Sequence, residues 1–132
     1  MDDAPTRPRI LLADDEILVR DLVEQALLEA GYDVTCAGSA ADGLVALEAG
    51  DPYAGVVTDI NFKAQPDGWA LGTHARELRP DIAVVYMSGD SAHLWSAHGV
   101  PDSTMLTKPF ALSQIVVALA AQLNRSDGFG RA

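Results

Sequence analysis

The sequence predicts one α/β domain built on an open parallel sheet. Three observations point there: short apolar runs of strand length recur along the chain, helical-period segments separate them, and single polar residues stand where the runs end. Strands alternating with helices call for right-handed crossovers and helices on both faces of the sheet. With 132 residues, the chain is the size of one ordinary domain.

Residues 1–8 are polar with two prolines and read as a flexible lead-in. Arg9 to Ala13 is the first strand. Asp15 or Glu16 opens a helix to about Ala30, with Val19, Leu22, Val23 and Ala26 as its core stripe and Gly31 just past its end. Asp33 to Ala37 is the second strand, with Cys36 read as a small packed residue. Ser39, with Asp42 three residues on, starts a short second helix ending near Gly50. Ala54 to Thr58 is almost wholly apolar, as a strand buried on both faces requires.

A loop from Ile60 to Gly68 leads into a third helix, Trp69 to Leu78. Ile82 to Met87 is the fourth strand, Ser91 to His98 a short helix, Ser103 to Thr107 the fifth strand and Ala111 to Asn124 the last helix. Leu112, Ile115, Val116, Leu119 and Leu123 form that helix's expected core stripe. The domain proper therefore spans 9–124, with a flexible tail at 125–132. For five strands and five helices the known solution is the flavodoxin-like (βα)5 sheet, strand order 2-1-3-4-5, whose switch point lies between the first and third strands.

Ligands of such sheets bind outside the carboxyl ends of the strands. The polar residues at those ends are Asp14 and Asp15, then Asp59, Ser88, and Lys108 followed by Pro109. Three carboxylates, a hydroxyl and an ammonium suit a divalent cation and a phosphoryl group. Alone, Asp14-Asp15 would read as a helix cap. With Asp59 beside the pair, the carboxylates would repel each other unless a cation intervened.

This ordered set resembles the receiver (response-regulator) domain of two-component signalling, from about Arg9 to Asn124. Asp15 and Asp59 can hold Mg2+ directly with Asp14 holding a coordinated water, and the resemblance adds the backbone carbonyl of Asn61 as a third protein ligand. It makes Asp59 the phosphoacceptor and Ser88 and Lys108 the phosphoryl-binding switch residues, with Lys108-Pro109 in cis turning the lysine inward. It also puts Asn61 and Asp90, two residues beyond Asp59 and Ser88, beside the path of the water that hydrolyses the acyl phosphate. Both are short and polar, so the phosphate should be short-lived.

Two positions depart from that pattern. Met105 stands three residues before Lys108, where receivers usually carry Tyr or Phe. The loop after Asp59 lacks the usual Met-Pro turn, although Asp67-Gly68 is retained. His74, His93 and His98 have no ligand spacing and read as ordinary helix residues.

Net charge is −10 with no basic cluster, which argues against nucleic acid as a partner. The lone Cys36 forms no internal disulfide and fits a reducing cytoplasm. No stretch approaches the roughly 18 apolar residues of a membrane span. The expected protein is a stand-alone cytoplasmic response regulator, not an enzyme beyond its own phosphorylation and dephosphorylation. It would be loaded by a sensor histidine kinase or histidine phosphotransfer protein. Its first helix resembles the receiver docking surface, with Ile17 and Leu28 off the core stripe. The charge-free last helix suggests a contact face for a downstream protein or a homodimer. The alternatives are a small magnesium-dependent phosphatase of the haloacid-dehalogenase type and a non-phosphorylated receiver-like binding module. The phosphatase needs a general acid two residues after its nucleophile, where this chain has Asn61.

Overall fold

The computed structural model describes residues 7–128. Its strands are β1 (Arg9–Ala13), β2 (Asp33–Ala37), β3 (Tyr53–Asp59), β4 (Ala83–Ser88) and β5 (Thr104–Thr107). Its helices are α1 (Ile17–Glu29), α2 (Ala40–Glu48), α3 (Gly68–Leu78), α4 (Trp95–His98) and α5 (Leu112–Gly128). The sheet is parallel throughout, in the order β2-β1-β3-β4-β5, as expected.

Alternation along the central strands sends side chains to two cores. Leu11, Val56, Val84 and Tyr86 pack under α2 and α3 through Leu47, Trp69, Leu71 and Ala75. Ile10, Leu12, Val57, Val85 and Met87 pack under α1 and α5 through Val23, Leu27, Ile115 and Leu119. Local signals set several boundaries. Gly31, at φ 103°, follows α1 in the left-handed conformation that favours glycine. The Ser39 hydroxyl caps α2 by accepting from the Asp42 N–H at 3.0 Å, and Asp67 caps α3 through the Ala70 N–H.

Several expectations are corrected. Leu22 is 57% exposed, and the inward stripe of α1 turns instead on Val23 and Leu27. Leu112 likewise faces outward. The segment read as a fourth helix is a 3-10 turn, Ala92–Leu94, followed by the single turn of α4. Cys36 is exposed, because β2 is an edge strand with β1 on one side only. The last helix runs past Asn124 through Gly128, so residues 125–128 of the expected tail are helical. Arg125 at that end donates to the carbonyls of Asp81 and Ile82. Residues 1–6 and 129–132, the rest of the expected lead-in and tail, lie outside the described residues. No helix among the described residues is long and apolar enough to cross a membrane.

Candidate functional site

The loops after β1, β3, β4 and β5 meet at one rim of the sheet. Asp14 follows β1 directly and is fully buried. Three bonds fix it: its N–H donates to the Ala37 carbonyl at 3.1 Å, its Oδ1 accepts from the Glu16 N–H at 2.8 Å, and its carbonyl accepts from Arg20 Nη1 at 3.2 Å. The bond to the Glu16 N–H closes a turn ahead of α1 without capping the helix, whose N-cap is Glu16, and it occupies one carboxylate oxygen only. The other, Oδ2, is buried without a hydrogen bond and has Lys108 Nζ at 3.8 Å.

Asp59 ends β3. Its Oδ1 accepts from the Ile60 N–H at 2.8 Å, and its carbonyl accepts from the Thr58 hydroxyl at 2.7 Å. Behind it, α3 begins so close that a Cβ on Gly68 would lie 2.0 Å from the Asp59 carbonyl oxygen, which explains the Asp67-Gly68 start of that helix. Lys108 follows β5 through a cis bond to Pro109; Gln65-Pro66 is cis as well. Its Nζ lies 3.3 Å from Asp59 Oδ2 and 3.4 Å from Glu16 Oε1.

Carboxylate oxygens of Asp14, Asp15 and Asp59 all lie within 4.8 Å of one another. Burial pushes the Asp14 carboxyl up to about 6, against the Glu16 N–H bond and the Lys108 charge that favour ionisation. Burial raises Asp59 too, opposed by Lys108 and the Ile60 N–H. Burial pulls Lys108 down, but Asp59 and Asp14 outweigh it and hold the ammonium above its ordinary value. An unbonded, buried carboxylate oxygen facing two further acids is costly as it stands. An all-oxygen donor set of this kind fits a hard divalent cation, so the residues present suit magnesium.

Ser88 ends β4, fully buried, and its Oγ accepts from the N–H groups of Asp90 and Ser91 at 3.3 and 2.8 Å. The hydroxyl therefore caps the following turn and keeps its own proton to donate. Gly89 beside it faces open space. Asn61 and Asp90, expected beside the path of the hydrolytic water, bond each other, Asn61 Nδ2 donating to Asp90 Oδ1 at 2.7 Å. Met105 packs against the core that contains Tyr86, its register partner on β4. The Tyr86 hydroxyl accepts from the Val100 N–H at 3.1 Å.

Three residues beside this site were not singled out from sequence: Glu16, Arg20 and Ser91. Asp-Asp-Glu at a helix start was the only local hint for Glu16. Arg20 and Ser91 act through contacts that periodicity does not reveal. None of the histidines joins the site: His93 and His98 are exposed, and His74 pairs with Glu48 and Glu77.

The chain is 33% identical over 110 residues to the response regulator receiver protein CpdR of Brucella abortus, covering 82% of this chain and 90% of that one. It is 32% identical over 127 residues to the transcriptional regulatory protein PrrA of Mycobacterium bovis, 95% of this chain but only 54% of that longer protein. The crystal structure of a response regulator receiver protein from Sinorhizobium medicae superposes with a TM-score of 0.89 at 42% identity, over 91% of this chain and 97% of that one. The family model for the response regulator receiver domain matches residues 10–120. Fold, rim chemistry and sequence similarity agree, and the chain belongs to the response regulator receiver domain family of two-component systems.

Proposed function

We propose that this receiver domain accepts a phosphoryl group on Asp59 from a phosphohistidine of a sensor kinase or phosphotransfer protein. The observation that carries this reading is the convergence of three carboxylates within 4.8 Å, with Lys108 Nζ 3.3 Å from Asp59 Oδ2. Asp14, Asp15, Asp59 and the Asn61 carbonyl would hold Mg2+, which when bound neutralises charge on the nucleophile and the phosphoryl oxygens.

Asp59 Oδ2 attacks phosphorus. An O–P bond forms as the N–P bond to the donor imidazole breaks, and the electron pair stays on that nitrogen, which then takes up a proton. Lys108 offers its ammonium to the transferred group, and Ser88 its free hydroxyl proton. Asn61 and Asp90 set the lifetime of the product. Neither walls off water with apolar bulk, so Asn61→Met and Asp90→Leu should both slow dephosphorylation.

The partner docks on the outer face of α1. Ile17, Leu18 and Leu22 are exposed there beside a cavity of about 310 Å3 lined by Val19, Leu22, Lys108, Pro109, Phe110 and Leu112. An apolar surface next to the phosphoacceptor suits a protein partner. A downstream protein, or a second copy of the chain, would use the α4–β5–α5 side, where Val117 is exposed. The setting is the cytoplasm, and nucleic acid is not a direct partner.

Incubation with acetyl phosphate and magnesium, read by intact mass, tests the assignment. Wild type should gain one phosphoryl group, and Asp59→Asn or added chelator should abolish the gain. Lys108→Ala should still titrate magnesium, because lysine supplies no ligand. Phosphorylation of Asp59→Asn at the wild-type level would overturn the reading.

A further inference from the structure

Between Asp59 and Ser88 the chain builds a bridge that crosses the rim of the site. Asn61 Nδ2 donates to Asp90 Oδ1 at 2.7 Å and to Ser91 Oγ at 3.1 Å, and Ser91 Oγ donates to the same Asp90 oxygen at 3.1 Å. The backbone N–H groups of Asp90 and Ser91 are the two donors that fix the Ser88 hydroxyl. Asp90 and Ser91 thus face two ways: their side chains grip the loop after β3, and their main chain aims Ser88. Anything that shifts Asn61 shifts the two N–H groups that decide where the Ser88 proton points.

We propose that Asn61, Asp90 and Ser91 form a positioning unit that makes the orientation of Ser88 depend on occupancy of the cation site. The inference rests on the reading above that the Asn61 carbonyl is a cation ligand. The carbonyl and the side-chain amide share one residue, so drawing the carbonyl to the cation moves Nδ2 and the turn bonded to it. Cation binding therefore sets Ser88 before any phosphoryl group arrives. This route crosses the rim from loop to loop and bypasses position 105, where Met105 offers no hydroxyl or rigid ring. Because the bridge is exposed to solvent, its removal leaves both cores untouched.

The test is a magnesium titration of the 15N-labelled full chain without phosphoryl donor, following backbone amide resonances. In wild type, Asp90 and Ser91 should shift with the same midpoint as Asp14 and Asp15. In Asp90→Ala, the Asp14 and Asp15 shifts should remain and those of residues 88 to 91 should be lost. Asp90→Asn keeps an oxygen acceptor for Asn61 and should restore the coupled response, which a merely structural role would not predict. Silent Asp90 and Ser91 amides in titrating wild type, or an intact response in Asp90→Ala, would overturn the coupling alone. Unmoved Asp14 and Asp15 in wild type would overturn the cation reading and the coupling with it.

Discussion

The β1–β3 side of the rim and the α4–β5 side are held with different firmness. Every residue of β3 from Gly55 to Asp59 is buried, and Asp14 beside it is fixed through its N–H, its carbonyl and one side-chain oxygen. From His93 to His98 every residue is exposed, and no residue of β5 is buried. Beside the β4–β5 ladder and the bonds from Arg76 to Pro101 and from Gln122 to Thr104, a chain of bonds tethers the looser side. Trp95 Nε1 donates to Ser103 Oγ at 2.9 Å, and the Ser103 hydroxyl donates to the Val100 carbonyl. The Val100 N–H in turn donates to the Tyr86 hydroxyl. A nucleophile and its charge partners need fixed geometry, whereas an element that reports their state needs low local stability. Under the proposed function the two sides would divide those tasks; the tether ends on Tyr86, two residues before Ser88.

Glycine substitutions should expose the difference most strongly. A methyl on Gly68 would lie 2.0 Å from the Asp59 carbonyl oxygen, whereas one on Gly89 would meet nothing within 4 Å. Gly68→Ala should therefore cost about 3 kcal/mol by overpacking against fixed backbone. Gly89→Ala should stay within about 0.5 kcal/mol of wild type. Denaturant unfolding measures both, and equal losses would erase the distinction.

A second test probes the electrostatic load on the firm side. The folded Asp14 carboxyl sits near 6 against an ordinary 3.8. A raised acid contributes stability that is fully present below the unfolded value and is lost as pH rises through the folded one. At pH 7 in chelator the ionised group should therefore weigh against folding, by at most about 3 kcal/mol. Asp14→Asn keeps the acceptor for the Glu16 N–H and removes the charge. Its unfolding midpoint should exceed wild type at pH 7, and the gap should close towards pH 4. Magnesium should stabilise wild type more than the variant. A variant less stable than wild type in chelator would mean that the Lys108 pairing outweighs burial.

The smallest effect belongs to the tether. Trp95→Phe removes one half-buried hydrogen bond and should cost about 1 kcal/mol. Hydrogen exchange should speed up across residues 92–98 and stay unchanged in β3. Uniform acceleration would show that the two sides open together.

The firm side was also the more legible in sequence. The strand β3 is an almost wholly apolar run closed by an acid, and β1 and β2 lie where their turn residues put them, because local chemistry sets those boundaries. The phase of α1 was misjudged between Leu22 and Leu27 because both satisfy a helical period, and only packing under the sheet selects one. The extension of α5 escaped notice because Ser-Asp-Gly reads as a break, while Arg125 is held by carbonyls 44 and 43 residues away. The residues at the strand ends were identifiable from their spacing and their resemblance to receivers. The Asn61–Asp90 bond, across 29 residues between two loops, has no periodic signature.

Arg20 carries a consequence for anyone altering this domain. Its guanidinium holds the Asp14 carbonyl, and it lies so near Gly38, just beyond β2, that a Cβ there would come within 3.3 Å of Nη1. A side chain at position 38 touches none of the acids, yet it would lean on the group that anchors one of them. The end of an outer strand is thus one side chain away from the carboxylate cluster. A library varied at position 38 would alter magnesium affinity without changing any ligand.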